Sequence, residues 1–194
     1  MVLLCPSWSA MQELLCQIVC FTMDIDMVFN VSKTKCMVVK PKENGNRFLV
    51  NIPQFVLSGM QVDFCSEFKY LGHVLVDSWN DVKDMNRELK VLYIRADKMI
   101  GRFSFCSHNV KKVLWNSYIN CLYGAGLWNL TSRDKRMYII AYNKCIKRFF
   151  GVSKFERNRL YYLSVGMLTP NTILYNSACL VKRCLEKCGV SNCL

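Results

Sequence analysis

Acidic side chains nearly vanish from the second half of this 194-residue chain. Residues 101–194 hold three of them against fifteen lysines and arginines, whereas residues 1–100 hold eleven of each sign. The whole formal charge of +12 therefore belongs to the second half. So lopsided a distribution points to a polyanionic partner, the other reading being a basic surface that merely aids solubility. Histidine is scarcer still. Its two copies, His73 and His108, have no serine or cysteine placed to make a nucleophile–base pair, which argues against hydrolases built on a triad. No glycine-rich loop of the phosphate-cradling kind occurs. Long apolar runs are missing as well, since residues 14–21 are broken by Gln17 and are too short to cross a bilayer. The opening MVLLCPSW has no basic stretch ahead of its apolar residues. An intracellular protein, cytoplasmic or nuclear, neither secreted nor membrane-bound, is the expectation.

What the chain does have is a folded composition, 52% hydrophobic and 21% charged, and length enough for one domain or two small subdomains. Twelve cysteines are scattered along it. Without an export signal they are expected to be reduced thiols packed as small hydrophobes, Cys16, Cys121 and Cys145 among them. Cys184, Cys188 and Cys193 cluster near the end, but no histidine follows to complete a zinc set.

Periodicity sorts the chain into a β-rich first part and a helical second part. Residues 1–5 read as a short apolar strand. Ser9 with Gln12 suggests a capping box ahead of Met11, Leu14, Leu15, Ile18 and Val19, and predicts an amphipathic helix over 9–22. A strand over 36–40, the turn ENGN at 43–46 and the answering RFLVNI predict a hairpin. Gly59 and Met60 punctuate further short strands in FVLSGMQVDF. In EFKYLGHVL, residues 67–75, a glycine beside a lysine and a tyrosine implies a bulge, a tight bend, or another backbone passing close by. Beyond Trp79, Val82, Met85, Leu89, Leu92, Ala96, Met99 and Phe103 form a stripe, with Lys83, Arg87, Lys90, Arg95, Lys98 and Arg102 largely off it. Helices follow over 109–122, over 131–150 with Gly151 as its stop, and from Thr169-Pro170 onward. On the 131–150 helix, Tyr138, Ile139, Tyr142, Cys145, Ile146 and Phe149 share one side, and Arg133, Arg136, Lys144, Lys147 and Arg148 the other. A face of one sign fits polyanion contact, or else a solvated surface. The fold class is α+β, with a boundary near residues 77–80.

The order of parts resembles the reverse transcriptase of non-LTR (LINE-type) retroelements. VFNVSKTKCMVV, then EFKYLGHVL, then a long amphipathic helix and YGAGLW are similar to the end of that family's palm, its thumb and the start of its C-terminal region. The likeness is strongest over residues 2–128 and looser to about 187. It implies a partial palm over 1–78 (a helix packed on short antiparallel strands), thumb-like helices over 79–128 and a basic helical region over 129–194. By the same likeness Lys33 stands at the lysine of the family's D motif, a general acid towards leaving pyrophosphate; the other reading is a turn lysine. Phe68, Lys69, Tyr70, Leu71 and Gly72 resemble the primer-grip hairpin. The helical cations, Arg87, Arg95, Lys98 and Arg102 with the five on the 131–150 helix, would track template–primer phosphates.

The departure from the family matters as much. Its tyrosine-x-aspartate-aspartate hairpin, which holds two Mg²⁺ ions, would fall immediately before Val2, and this chain contains no adjacent aspartate pair. Asp24 and Asp26 have no third carboxylate placed to join them. No cofactor is therefore expected on this chain, and no polymerisation by it alone: the reading is of a truncated pseudoenzyme. The expected partner is an RNA–DNA hybrid or RNA template–primer. A full-length reverse transcriptase, or a second copy meeting an exposed palm edge, is a further one. The alternatives are a nucleic-acid-binding accessory module and a translated retroelement remnant without function.

Overall fold

The computed structural model describes residues 1–39, 52–120 and 122–188, and within them six α-helices and six short strands. The mixture is α+β at this coarse level. The chain divides into two units, Met1–Asn80 and Asp81–Leu194.

In the first unit, α1 spans Trp8–Asp24. Its cap is Ser7 and not Ser9: the Ser7 hydroxyl accepts from the Ala10 amide at 3.3 Å. Gln12, freed from capping, reaches across to Val56. Its carbonyl accepts from the Val56 N–H at 3.1 Å and its amide donates to the Val56 carbonyl at 3.0 Å, as a neighbouring strand would. The strands are β1 (Lys35–Cys36), β2 (Val56–Leu57), β3 (Met60–Gln61), β4 (Asp63–Phe64), β5 (Glu67–Tyr70) and β6 (His73–Val76). They pair as three separate two-stranded ribbons, β2–β3 and β5–β6 antiparallel and β1–β4 parallel. An all-antiparallel layer was expected. In the parallel pair Lys35 aligns with Asp63, to which its ammonium is bridged at 2.6 Å. Residues 1–5 form no strand, and of the expected strand over 36–40 the described positions 36–39 contribute only Cys36, in β1. The ENGN hairpin turn and nearly all of its answering strand lie outside the described residues. Leu15, Val31, Phe55, Leu57 and Val62 make the small core, with Met11 and Val19 of the predicted stripe packed against it.

The helical unit has the larger core. Its helices are α2 (Val82–Phe103), α3 (His108–Leu114), α4 (Ser132–Phe150), α5 (Asn158–Val165) and α6 (Pro170–Lys187). The stripe on α2 is buried at Met85, Leu89, Leu92 and Ala96, as its spacing requires. Caps fix the ends of α4: the Thr131 hydroxyl accepts from the Asp134 amide, and Gly151 closes it with a φ of 72°. Beyond α3 the chain widens into a π-helical turn, Trp115–Ile119, whose indole is fully buried and donates to the Tyr142 hydroxyl at 3.0 Å. A short 3₁₀ turn, Ala125–Leu127, presses against α6 so closely that a Cβ on Gly126 would lie 2.4 Å from the Ser177 carbonyl oxygen.

Candidate nucleic-acid interface

The primer-grip-like segment is a two-residue hairpin. Tyr70 stands opposite His73, so Leu71 and Gly72 alone make the turn. Both have left-handed backbones, with φ of 46° and 88°. Gly72 is thus explained by a tight bend, the conformation that matches strand twist and that glycine adopts most cheaply. Leu71 adopts it against its own preference and projects at the tip, 71% exposed. Phe68 and Tyr70, two apart, are half-buried, while Lys69 between them is exposed. Lys33 ends a 3₁₀ turn, Val31–Lys33, and is exposed; the Asn30 side chain accepts from its amide at 3.2 Å.

Among the helical cations the structure draws distinctions that periodicity does not. Arg87 is turned inward. Its Nε bonds the Asp84 carboxylate at 2.8 Å and its Nη1 the Glu88 carboxylate at 2.8 Å, both carboxylates being buried. The Trp128 indole donates to the other Asp84 oxygen at 2.9 Å. Burial works against the Arg87 charge, but the paired carboxylates outweigh it and push the guanidinium's pKa above its ordinary value. Arg95 is half-buried, and Lys98 and Arg102 are exposed. On α4, Arg148 pairs with Asp97 of α2 at 3.1 Å, so that face does have an acidic partner. Lys147 folds onto the following loop, donating to the carbonyls of Lys154 and Glu156 at 3.1 and 2.6 Å. Arg133, Arg136 and Lys144 remain, exposed and without an ion pair among the described residues.

The cysteines meet the expectation of free thiols but only in part that of burial, and Cys121 lies outside the described residues. Of the ten described, all free, only Cys145 is buried, and Cys16 is exposed. Desolvation raises the Cys145 thiol to about 12, with Asp97 adding to the shift and Arg148 opposing it. Asp24 and Asp26 are exposed, and no group of three metal-ligating side chains occurs among the described residues.

Sequence reasoning passed over several residues. Asp84 and Glu88 look like ordinary surface acids of a helix, and only the inward Arg87 shows otherwise. Lys154, Phe155 and Arg157, between α4 and α5, went unremarked, although a phenylalanine among basic residues is a visible signal. A cavity of about 160 Å³ beside the π-helical turn, lined by Asn116, Asn120, Tyr142, Met167 and Ile173 among others, had no sequence signature. No protein-family model, curated protein or solved structure matches this chain. No helix among the described residues is long and apolar enough to cross a membrane.

Proposed function

We propose that this chain grips the sugar-phosphate backbone of a nucleic-acid duplex through the exposed cations of its helical unit, as a thumb-like piece of a LINE-type reverse transcriptase that does not polymerise by itself. One observation carries the reading. Arg133, Arg136 and Lys144 stand exposed on α4 without an ion pair among the described residues, in a half-chain with fifteen cations and three acids. Charges held this way are poised for phosphate, which releases condensed counterions when neutralised. The order of the two short motifs ahead of the helices supports the family assignment.

The test is fluorescence anisotropy on a labelled RNA–DNA hybrid across a salt series. Three phosphate contacts correspond to a log–log slope of about −2.7 on B-form duplex, and a slope of comparable steepness is expected on the hybrid. Reversing all three charges (Arg133→Glu, Arg136→Glu, Lys144→Glu) should flatten the slope and lower affinity at least tenfold at low salt. An unchanged variant would make α4 a solvated face only. Primer extension with Mg²⁺ or Mn²⁺ should give no product, and templated synthesis would overturn the inactive assignment.

A further inference from the structure

One end of the helical unit carries two outward phenylalanines. Helices α2 and α4 run side by side in the same direction: Tyr93 donates to the Ala141 carbonyl at 2.7 Å, and Asp97 pairs with Arg148 at 3.1 Å. Their C-termini, Phe103 and Phe150, therefore lie at a common end, where the His108 ring stacks on Phe150 with centroids 6.0 Å apart. A short loop leaves each terminus. The first projects Phe105, 85% exposed, and the second Phe155, 84% exposed. Aromatic rings so open are costly to leave in water, and neither loop is slack. Lys147 holds the second through two carbonyls, and Ser153 accepts from the amides of Phe155 and Glu156. The Cys106 amide closes the first onto Phe103.

We infer that Phe105 and Phe155 form a stacking platform for unpaired nucleobases, so that a single-stranded extension is held at this end of the helical unit. The inference rests on the nucleic-acid reading above and adds a distinct element to it: base faces here, phosphates along α4. Charge favours this occupant over an apolar protein surface. Arg102, Lys154 and Arg157 lie close to the rings along the chain, with Glu156 the only carboxylate in either loop. The Lys154 ammonium lies 4.9 Å from the centre of the Phe155 ring, covering one face and leaving the other for a base. Two helix C-termini make a poor phosphate cradle, since their free carbonyls are electronegative. A base presents a π-face, and each stacked base typically contributes a factor of about five to a hundred in affinity.

The experiment compares a labelled twelve-nucleotide single strand, an abasic strand of equal length and a blunt RNA–DNA hybrid. The probes are titrated against the full chain and its Phe105→Ala, Phe155→Ala, Phe155→Leu and Phe155→Trp variants. The alanine variants should each bind the single strand five-fold or more weakly while binding the blunt hybrid unchanged. Phe155→Trp should restore affinity, and Phe155→Leu, apolar but not aromatic, should not. The abasic strand should bind the parent chain as weakly as the variants bind the normal strand. Equal binding of the abasic strand, or full rescue by leucine, would overturn the platform and mark an apolar contact for a protein instead. If the hybrid binds and the alanine variants are indistinguishable from the parent on the single strand, the platform alone fails. If neither strand nor hybrid binds, the duplex-gripping reading fails first and the platform with it.

Discussion

Arg87 shows how a single side chain changes meaning with its surroundings. Its charge is offset within the protein by Asp84 and Glu88, so removing it takes the guanidinium away from two buried carboxylates. Breaking such a pair typically costs about 3–5 kcal/mol. Arg87→Ala should lower the unfolding free energy of the helical unit by that order, measured by urea unfolding followed by circular dichroism. Loss of nucleic-acid affinity at unchanged stability would instead return Arg87 to the interface. Two tyrosines make a complementary pair. The Tyr138 hydroxyl is buried with no hydrogen-bond partner among the described residues, whereas that of Tyr142 accepts from Trp115 and donates to Asn120 at 2.9 Å. Burial raises the pKa of both phenols. Tyr138→Phe should therefore be neutral or stabilising by about 1 kcal/mol, and Tyr142→Phe destabilising by about 1–3 kcal/mol. The reverse order in thermal melts would refute the assignment of these hydroxyls.

Elements differ in how far their limits follow from nearby residues. Both ends of α4 were readable, within one residue, because a threonine cap and a left-handed glycine act within a single turn. The same holds for Thr169 and Pro170 at the start of α6. At α1 the capping-box pattern points to Ser9, whereas Ser7 is the cap. A distant contact sets them apart, since Gln12 bonds Val56 forty-four residues away and takes no part in a capping box. Gly126 belongs to the second kind. Nothing in YGAGLW states that the backbone of α6 passes within 2.4 Å of where a Cβ would stand. Gly126→Ala must push α6 and the Ala125–Leu127 turn apart, and overpacking of this kind costs about 1–3 kcal/mol. A drop in melting temperature, together with faster amide exchange in α6, is the expected result. A variant as stable as the parent would show that the packing yields freely.

At the scale of the whole molecule, the two units differ in how well they cover apolar surface. The helical unit buries a cluster from Met85 to Tyr162. Among its described residues the first unit buries five in its core and leaves Phe21, Met23, Ile25, Met27 and Val28 exposed, Val28 at 92%. The predicted α1 stripe is mostly half-covered, so this stretch at its C-terminal end is the larger liability. Contiguous exposed apolar residues promote association. Light scattering should detect oligomers of the full chain, and Phe21→Glu with Val28→Lys should shift it towards monomer. A monodisperse monomeric parent would contradict the expectation.

The sequence by itself determined what acts over one helical turn, namely the buried stripe of α2 and the caps of α4 and α6, and with them the concentration of positive charge beyond residue 100; which of a bulge, a bend or a close backbone approach Gly72 serves was left to the structure. Only the tertiary structure decided which of those charges are available. Arg87, Lys147 and Arg148 are engaged with partners inside the protein, and Arg133, Arg136 and Lys144 have no ion pair among the described residues. The physical reason is range. Backbone conformation answers to neighbours a few residues away, whereas an ion pair or a stacked ring depends on distances of a few ångströms between groups the chain brings together only when it folds.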